Sequence, residues 1–309
     1  LTQRDSMIGP RSVSAEGRYV AFTSLADDLT ADDTGGNLNV FRKDLFTGAT
    51  VLVTHTAGGT GGGSASSRSP SISADGGKVA FASDATDLGP ADDNGATDVY
   101  VWDAATDAIA LASANREGAG PGTGRSDSPW LTTDGNRVLF SSTAADLADR
   151  GLKGATQWYL RDLGEGTNVH ISYDSQPALM RSPILREYSE PLRMAVFASE
   201  IQGPEGPNDI YLSSPGRPPA VLLTNRATAF ALSQDGRRLL VMGSGSSYRL
   251  GAKLFDLPAG TNPPVPLYPT RGKPSLDRYG ARFVYEGLDP GNAQQGYYQV
   301  YLFSVSNQV

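Results

Sequence analysis

An all-β fold, a six-bladed β-propeller of four-stranded antiparallel blades, is what this sequence predicts. Three observations carry the prediction. A turn phrase recurs six times: "SAEG" at Gly17, "SADG" at Gly76, "TTDG" at Gly135, "SEPL" at Leu192, "SQDG" at Gly236 and "DRYG" at Gly280. The copies stand 59, 59, 57, 44 and 44 residues apart, the period of units with four strands apiece. Glycine at 36 and proline at 20 supply many turns, without the three-residue glycine period of collagen.

Each copy has the same elements in the same order. A short lead-in strand comes first, as in "SPSIS" (Ser69–Ser73) and "SPWLT" (Ser128–Thr132). A tight turn follows, with Asp-Gly in copies two, three and five, a pair that tolerates positive φ. The second strand is apolar: "YVAFTS" ending at Ser24, "KVAFAS" at Ser83, "RVLFSS" at Ser142, "MAVFAS" at Ser199, "LLVMGS" at Ser244 and "RFVYEG" at Gly287. Its alternating side chains offer a face to each neighbouring blade. Third strands read "NVFRKD" (Asn39–Asp44), "DVYVWD" (Asp98–Asp103), "QWYLRD" (Gln157–Asp162), "DIYLSS" (Asp209–Ser214), "AKLFDL" (Ala252–Leu257) and "QVYLFS" (Gln299–Ser304). Fourth strands read "TVLVT" (Thr50–Thr54), "IALAS" (Ile109–Ser113), "NVHIS" (Asn168–Ser172), "AVLLT" (Ala220–Thr224) and "VPLY" (Val265–Tyr268). The sixth copy stops where its fourth strand should begin, and the chain starts with "LTQR". Leu1–Thr2, with Gln3, is therefore expected to complete that blade and close the ring, which leaves no exposed edge. One domain over 1–309 is expected, with blades at about 8–54, 69–113, 128–172, 184–224, 228–268 and 272–309 plus 1–4.

Bulk properties exclude several classes. A net charge of -7 repels a phosphate backbone, so no nucleic-acid partner is expected. No apolar run approaches the roughly 20 residues of a membrane-spanning helix. With no cysteine there are no disulfides and no thiolate chemistry. His55 and His170 lie in different copies, so a paired metal site is not expected; His170 reads as a half-exposed strand residue. The serines lack a recognisable histidine–acid arrangement, and "GGTGGG" reads as low complexity rather than a phosphate loop.

The phrases "S-x-D-G-x-x-V-A-F-x-S" and "D-V-Y-V-x-D-x-x-T" resemble the WD40-like repeat of the TolB-type β-propellers. The resemblance covers nearly the whole chain and is strongest in copies one to three. It implies the ring, a binding role, and a periplasmic or secreted location. The family includes a periplasmic protein that works with a peptidoglycan-associated lipoprotein, and similar propellers gate some serine peptidases. The chain carries neither the N-terminal α/β domain of the former nor the G-x-S-x-G elbow of a hydrolase, so the resemblance transfers no catalytic residue. The start at Leu1 rather than methionine leads us to expect a removed leader or a piece of a longer chain.

In a propeller the second-to-third and fourth-to-first connections share one face, and the variable lengths fall there. Copies one to three carry long acidic loops: Leu25–Leu38, Asp84–Thr97 and Thr143–Thr156. Two fourth-to-first connections are glycine-rich, His55–Arg68 and Ala114–Asp127. They read as a loose surface cover or as segments that a partner orders. Asp28-Leu29, Asp87-Leu88 and Asp146-Leu147 recur in phase, which favours a scaffold role. Candidate residues of a binding face are Asp28, Asp32, Asp33, Asp87, Asp92, Asp93, Trp130, Tyr248, Arg249 and Tyr297. Trp130 lies on an innermost strand; Trp102 and Trp158 are expected to pack between blades with Tyr100, Tyr159 and Tyr211.

Asp92, Asp93, Asn94 and Asp98 bring hard oxygens together within seven residues, and Asp32, Asp33, Asn37 and Asn39 do so in copy one. Two readings fit: part of a calcium site, or capping of the turn by bonds to backbone N–H groups. The full calcium-loop pattern is absent. The function expected is a non-catalytic binding module for a protein or peptide, through the acidic face of blades one to three. The alternatives are a calcium-dependent carbohydrate or cell-wall binder, and a hydrolase or lyase working in the central funnel.

Overall fold

The computed structural model describes residues 6–32, 34–59, 61–89, 92–149, 154–172, 183–191, 193–200, 208–213, 221–233, 235–243, 251–257, 264–266, 270–279, 281–288 and 298–304. Two compact units emerge, Leu1–His170 and Ile171–Val309. Every described element is a strand, and the fold is that of a β-propeller built from antiparallel sheets.

The first unit holds three four-stranded sheets, each in chain order. The first comprises β1 (Ser6–Met7), β2 (Tyr19–Ser24), β3 (Asn39–Asp44) and β4 (Thr50–Leu52). The second comprises β5 (Ser67–Ile72), β6 (Lys78–Ser83), β7 (Asp98–Asp103) and β8 (Ala108–Leu111). The third comprises β9 (Ser126–Leu131), β10 (Arg137–Ser142), β11 (Gln157–Asp162) and β12 (Thr167–His170). Period-two alternation explains the packing. On β7, Tyr100 and Trp102 point one way and join Val40 and Val53 of the first sheet. Val99 and Val101 point the other way and join Leu131, Phe140 and Tyr159 of the third. Trp102 and Tyr100 thus pack between blades as expected. Trp158 and Tyr211 are buried as well.

The Asp-Gly turns occupy the end opposite the long loops. Asp75 accepts the Gly77 N–H at 2.8 Å and the Ser73 hydroxyl at 2.6 Å. Gly76 sits at φ +74°, and a Cβ there would lie 2.2 Å from the Tyr19 ring, so the position demands glycine twice over.

The first strands β5 and β9 begin at Ser67 and Ser126, two residues before the Ser-Pro steps expected to open them. A bulge separates Arg68 from Ser71, with Ser69 at φ 56°, and Ser128 on β9 takes the same φ. Proline cannot donate to a ladder, and the bulge is where that costs nothing.

The second unit departs further from expectation. Its seven-stranded sheet runs β13 (Ile184–Ser189), β14 (Met194–Glu200), β15 (Asn208–Ser213), β16 (Val221–Leu232), β17 (Arg238–Gly243), β18 (Gly251–Asp256) and β19 (Pro264–Pro266). The fourth strand of one copy and the first of the next were expected to be separate. Instead β16 is one 12-residue strand, pairing with β15 through its first half and β17 through its second. Between Val221 and Leu232 there is no glycine or proline to break it, unlike the glycine-rich connections earlier in the chain. A three-stranded sheet follows: β20 (Thr270–Leu276), β21 (Arg282–Leu288) and β22 (Tyr298–Ser304). The closing strand expected from Leu1–Gln3 lies outside the described residues.

Candidate functional site

Both sets of long connections in the first unit meet at one end, and the chain ties them together. The Asp87 carboxylate accepts the backbone N–H of Ser64 at 2.9 Å, and Asp146 accepts both the N–H and the hydroxyl of Thr123, at 2.9 and 3.0 Å. The carbonyls of Asp87 and Asp146 accept the N–H groups of Ala57 and Arg116, each at 2.9 Å. Below them Leu88 and Leu147 are fully buried. A Cβ on Gly63 would lie 2.6 Å from Leu88 Cδ2, and one on Gly122 would lie 2.7 Å from Leu147 Cδ2. The glycine-rich connections are therefore fitted covers, not loose ones: their glycines permit close approach to the next blade's leucine.

The remaining predicted residues divide by exposure. Asp28, Asp32 and Asp93 are exposed, Asp87 is half-buried and Asp92 is buried. Asp33, Tyr248, Arg249 and Tyr297 lie outside the described residues. Trp130 is half-buried on β9, with the Arg11 guanidinium 3.5 Å above its ring centre.

Of the oxygens considered as metal ligands, Asp92 Oδ2, Asn94 Oδ1 and both oxygens of Asp98 are engaged in hydrogen bonds, whereas Asp92 Oδ1 is buried without a partner and Asp93 is exposed. Tyr100 donates its hydroxyl to Asp92 at 2.6 Å. Asn94 donates its amide to Asp98 at 2.7 Å and to the Gly122 carbonyl at 2.8 Å, while its oxygen accepts the Ala96 N–H at 2.7 Å. Asp98 also accepts the Ser113 hydroxyl, which in turn accepts the Val99 N–H at 3.0 Å. Burial pushes the Asp98 carboxyl up to about 6, against the opposing pull of the bonds from Ser113 and Asn94. Its counterpart Asn39 has the same partner type: Thr54 donates to it at 2.8 Å. Among the described residues no three acidic or histidine side chains are grouped so as to hold a metal ion. His170 is half-buried, 2.9 Å from the Gln157 amide oxygen and stacked on Tyr159.

One constellation at this end was missed by the sequence reading. Arg68 Nη1 lies 2.9 Å from Asp84 Oδ2, and Nη2 bonds Asp84 Oδ1 at 3.3 Å and Thr97 Oγ1 at 2.9 Å. Arg68 Nη2 is also 3.5 Å from Asp127 Oδ2, which accepts a bond from Arg125. The bond to Arg68 holds the Asp84 carboxyl below the usual carboxylate range, and Asp84 holds the guanidinium above its own usual value. Unlike the in-phase pairs, this network is built once among the described residues. Arg68 and Asp127 stand 59 residues apart, at the same place in adjacent copies. A basic residue facing an acidic one at a repeated position was the available signal.

No family model matches the chain, and no curated protein matches it in sequence. Solved structures do. The β-propeller domain of the trilobed protease from Pyrococcus furiosus, which has an open velcro topology, matches with a TM-score of 0.53 and 14% identity over 99% of this chain and 83% of that one. Oligogalacturonate lyase from Vibrio parahaemolyticus gives 0.53 and 14% over 97% of this chain and 79% of that one. TolB from Acinetobacter baumannii gives 0.45 and 16% over 85% of this chain; the chain spans 55% of that protein's length. The first two place the chain among β-propellers, and at such identities they establish the fold alone.

Proposed function

We propose that the chain is a non-catalytic binding module that recognises a basic protein or peptide segment through the loop-bearing end of its first three sheets. The observation that carries this is the Arg68–Asp84–Asp127–Arg125 network, built once among the described residues, at the end where both loop sets meet. Its carboxylates are paired with guanidinium groups. Asp84 in particular is held ionised, which suits a fixed charge pattern rather than proton transfer. The acid that is held high, Asp98, is fully buried and fully engaged. Around the network, Asp28, Asp32 and Asp93 present exposed negative charge on loops fixed from below. Such a rim speeds encounter with a basic partner and excludes acidic ones.

We further read the six copies as one domain and the protein as periplasmic or secreted. The regular repeat supports the first, and the sequence resemblance supports the second.

The test is selection from a random peptide display library on the immobilised protein. Lys- and Arg-rich peptides should be enriched on the wild-type chain and lost on the D28N/D32N/D93N variant, whose changes lie on exposed side chains. Equal recovery on both proteins, or no enrichment on either, overturns the proposal.

A further inference from the structure

At the seam between the first and second sheets the buried Trp102 and the half-buried His55 meet the exposed carboxylate of Asp107. Trp102 donates its indole N–H to Asp107 at 2.8 Å, and His55 Nε2 lies 3.3 Å from the same carboxylate oxygen. Fifty-nine residues on, at the seam between the second and third sheets, the corresponding residues are Arg161, Ala114 and Gly166. Two of the three side chains have shrunk, and an acid has gone. A cavity of about 340 Å³ opens there, lined by Ile109, Leu111, Ala114, Gly118, Gly120 and Arg161 among others. That volume lies near the lower end of the ~300–1,000 Å³ range of ligand pockets.

Arg161 is 9% exposed, and its Nη1 is buried without a hydrogen-bond partner. Burial pulls its pKa down, yet a guanidinium stays charged. The adjacent Asp162 favours its charged form from a distance but makes no ion pair with it: its Oδ2 lies 3.0 Å from Arg137 Nε, and its Oδ1 accepts the Gly164 and Glu165 N–H groups. A buried guanidinium without a directly bonded partner is costly. Gly166 marks where a carboxylate, that of Asp107, stands in the other seam. It sits at φ +67°, close to the φ 56° of Asp107, and a Cβ there would lie 3.7 Å from Arg161 Nη2. Asn168 faces Arg161 across the β11–β12 ladder. Its amide donates to the Ala114 carbonyl at 2.7 Å, and its Oδ1 is buried without a partner.

We propose that this pocket binds a small organic carboxylate with an apolar body and a hydroxyl group. The carboxylate takes the Arg161 fork, which matches its geometry. The hydroxyl donates to Asn168 Oδ1, and the apolar body lies against Ile109, Leu111 and Ala114. The site shares no residue with the Arg68, Asp84, Arg125 and Asp127 network, although the Ala114–Asp127 connection contributes to both, and it does not depend on the function proposed for that network.

Isothermal titration calorimetry of the whole chain with mandelate, benzoate, benzyl alcohol and inorganic phosphate tests this. Mandelate should bind best, benzoate less well and benzyl alcohol not measurably. Arg161→Lys should weaken mandelate by about tenfold, since an ammonium cannot supply the fork. Gly166→Asp is the decisive variant: it supplies the carboxylate from the chain, at a backbone geometry Asp107 already tolerates. It should abolish mandelate binding while raising the melting temperature. Undiminished mandelate binding in Gly166→Asp overturns the proposal. So does failure of the carboxylates to exceed benzyl alcohol, or phosphate binding as tightly as mandelate.

Discussion

The carboxylate of Asp87 reaches back to the N–H of Ser64, 2.9 Å away, and so pins a glycine-rich connection onto the blade that follows it. Asp146 treats Thr123 the same way. A polar pin of this kind, half exposed, contributes about 1 kcal/mol. The leucine beneath it contributes more, because truncating a fully buried Leu costs about 2–5 kcal/mol.

Leu88→Ala should therefore lower the chemical denaturation midpoint more than Asp87→Ala does. Gly63→Ala should also destabilise, by roughly 1–3 kcal/mol, since its Cβ would meet Leu88 Cδ2 at 2.6 Å and Ala85 Cβ at 3.0 Å. Gly120→Ala, with nothing within 4 Å of its Cβ, should be neutral or slightly stabilising. Equal effects at Gly63 and Gly120 would mean that the connection does not pack as described.

Asp98 gives the chain a pH signature. An unfolded aspartate titrates near 3.9, whereas burial raises Asp98 to about 6. Between those values the folded chain retains a proton that the unfolded chain has released. Stability from this group therefore falls as pH rises from about 4 to about 6, and the penalty is complete above that, on the order of 3 kcal/mol. Asp98→Asn should remove this component. The difference in unfolding free energy between variant and wild type should change across that window and be flat above it. A constant difference would show that Asp98 is not held protonated.

The repeat made most of the first unit legible before any coordinates. Second and third strands were placed to the residue in the first three copies, because period-two apolar runs and the glycine turns at Gly17, Gly76 and Gly135 encode them locally. The β16 fusion was not legible from the turn phrase. It depends on the absence of a breaker in "VLLTNRATAFAL", a negative signal easily passed over. The Arg68 network was hidden for a different reason. Its members Arg68, Asp84, Thr97, Arg125 and Asp127 come from two copies and three connections, and in-phase reading emphasises what repeats. The same habit hid the Arg161 pocket, which exists because in-phase residues differ. Asp92 and Asp98 looked like ligands because sequence shows oxygens close together. It does not show Tyr100, Ser113 and Asn94 already bonded to them.

The Arg68 network should behave as a partly screened ion cluster. Arg68 is 29% and Asp84 43% exposed at the side chain, so solvent weakens the pair. Arg68→Met keeps much of the apolar stem and removes the charge. It should cost about 1 kcal/mol at low ionic strength and less in ~1 M salt. Asp84 is held below its unfolded pKa, so this contribution is present above pH ~4 and is lost as pH falls through the folded value. A salt-independent loss in Arg68→Met would assign the effect to packing instead.

Arg11 over Trp130 is the closest cation–ring contact among the described residues, at 3.5 Å from the centroid. Such a stack contributes about 0.5–2 kcal/mol, depending on how far it is desolvated. It also shields one face of the indole. Trp102 and Trp158 are 3% and 8% exposed and should emit at short wavelength, whatever residue 11 is. Arg11→Ala should therefore shift the long-wavelength part of the tryptophan emission further to the red and increase its quenching by iodide. In a Trp130→Phe background the same substitution should leave the spectrum unchanged. If Arg11→Ala changes neither emission nor quenching, the guanidinium does not cover Trp130 in solution, and Trp130 would then be open to a ligand from the start.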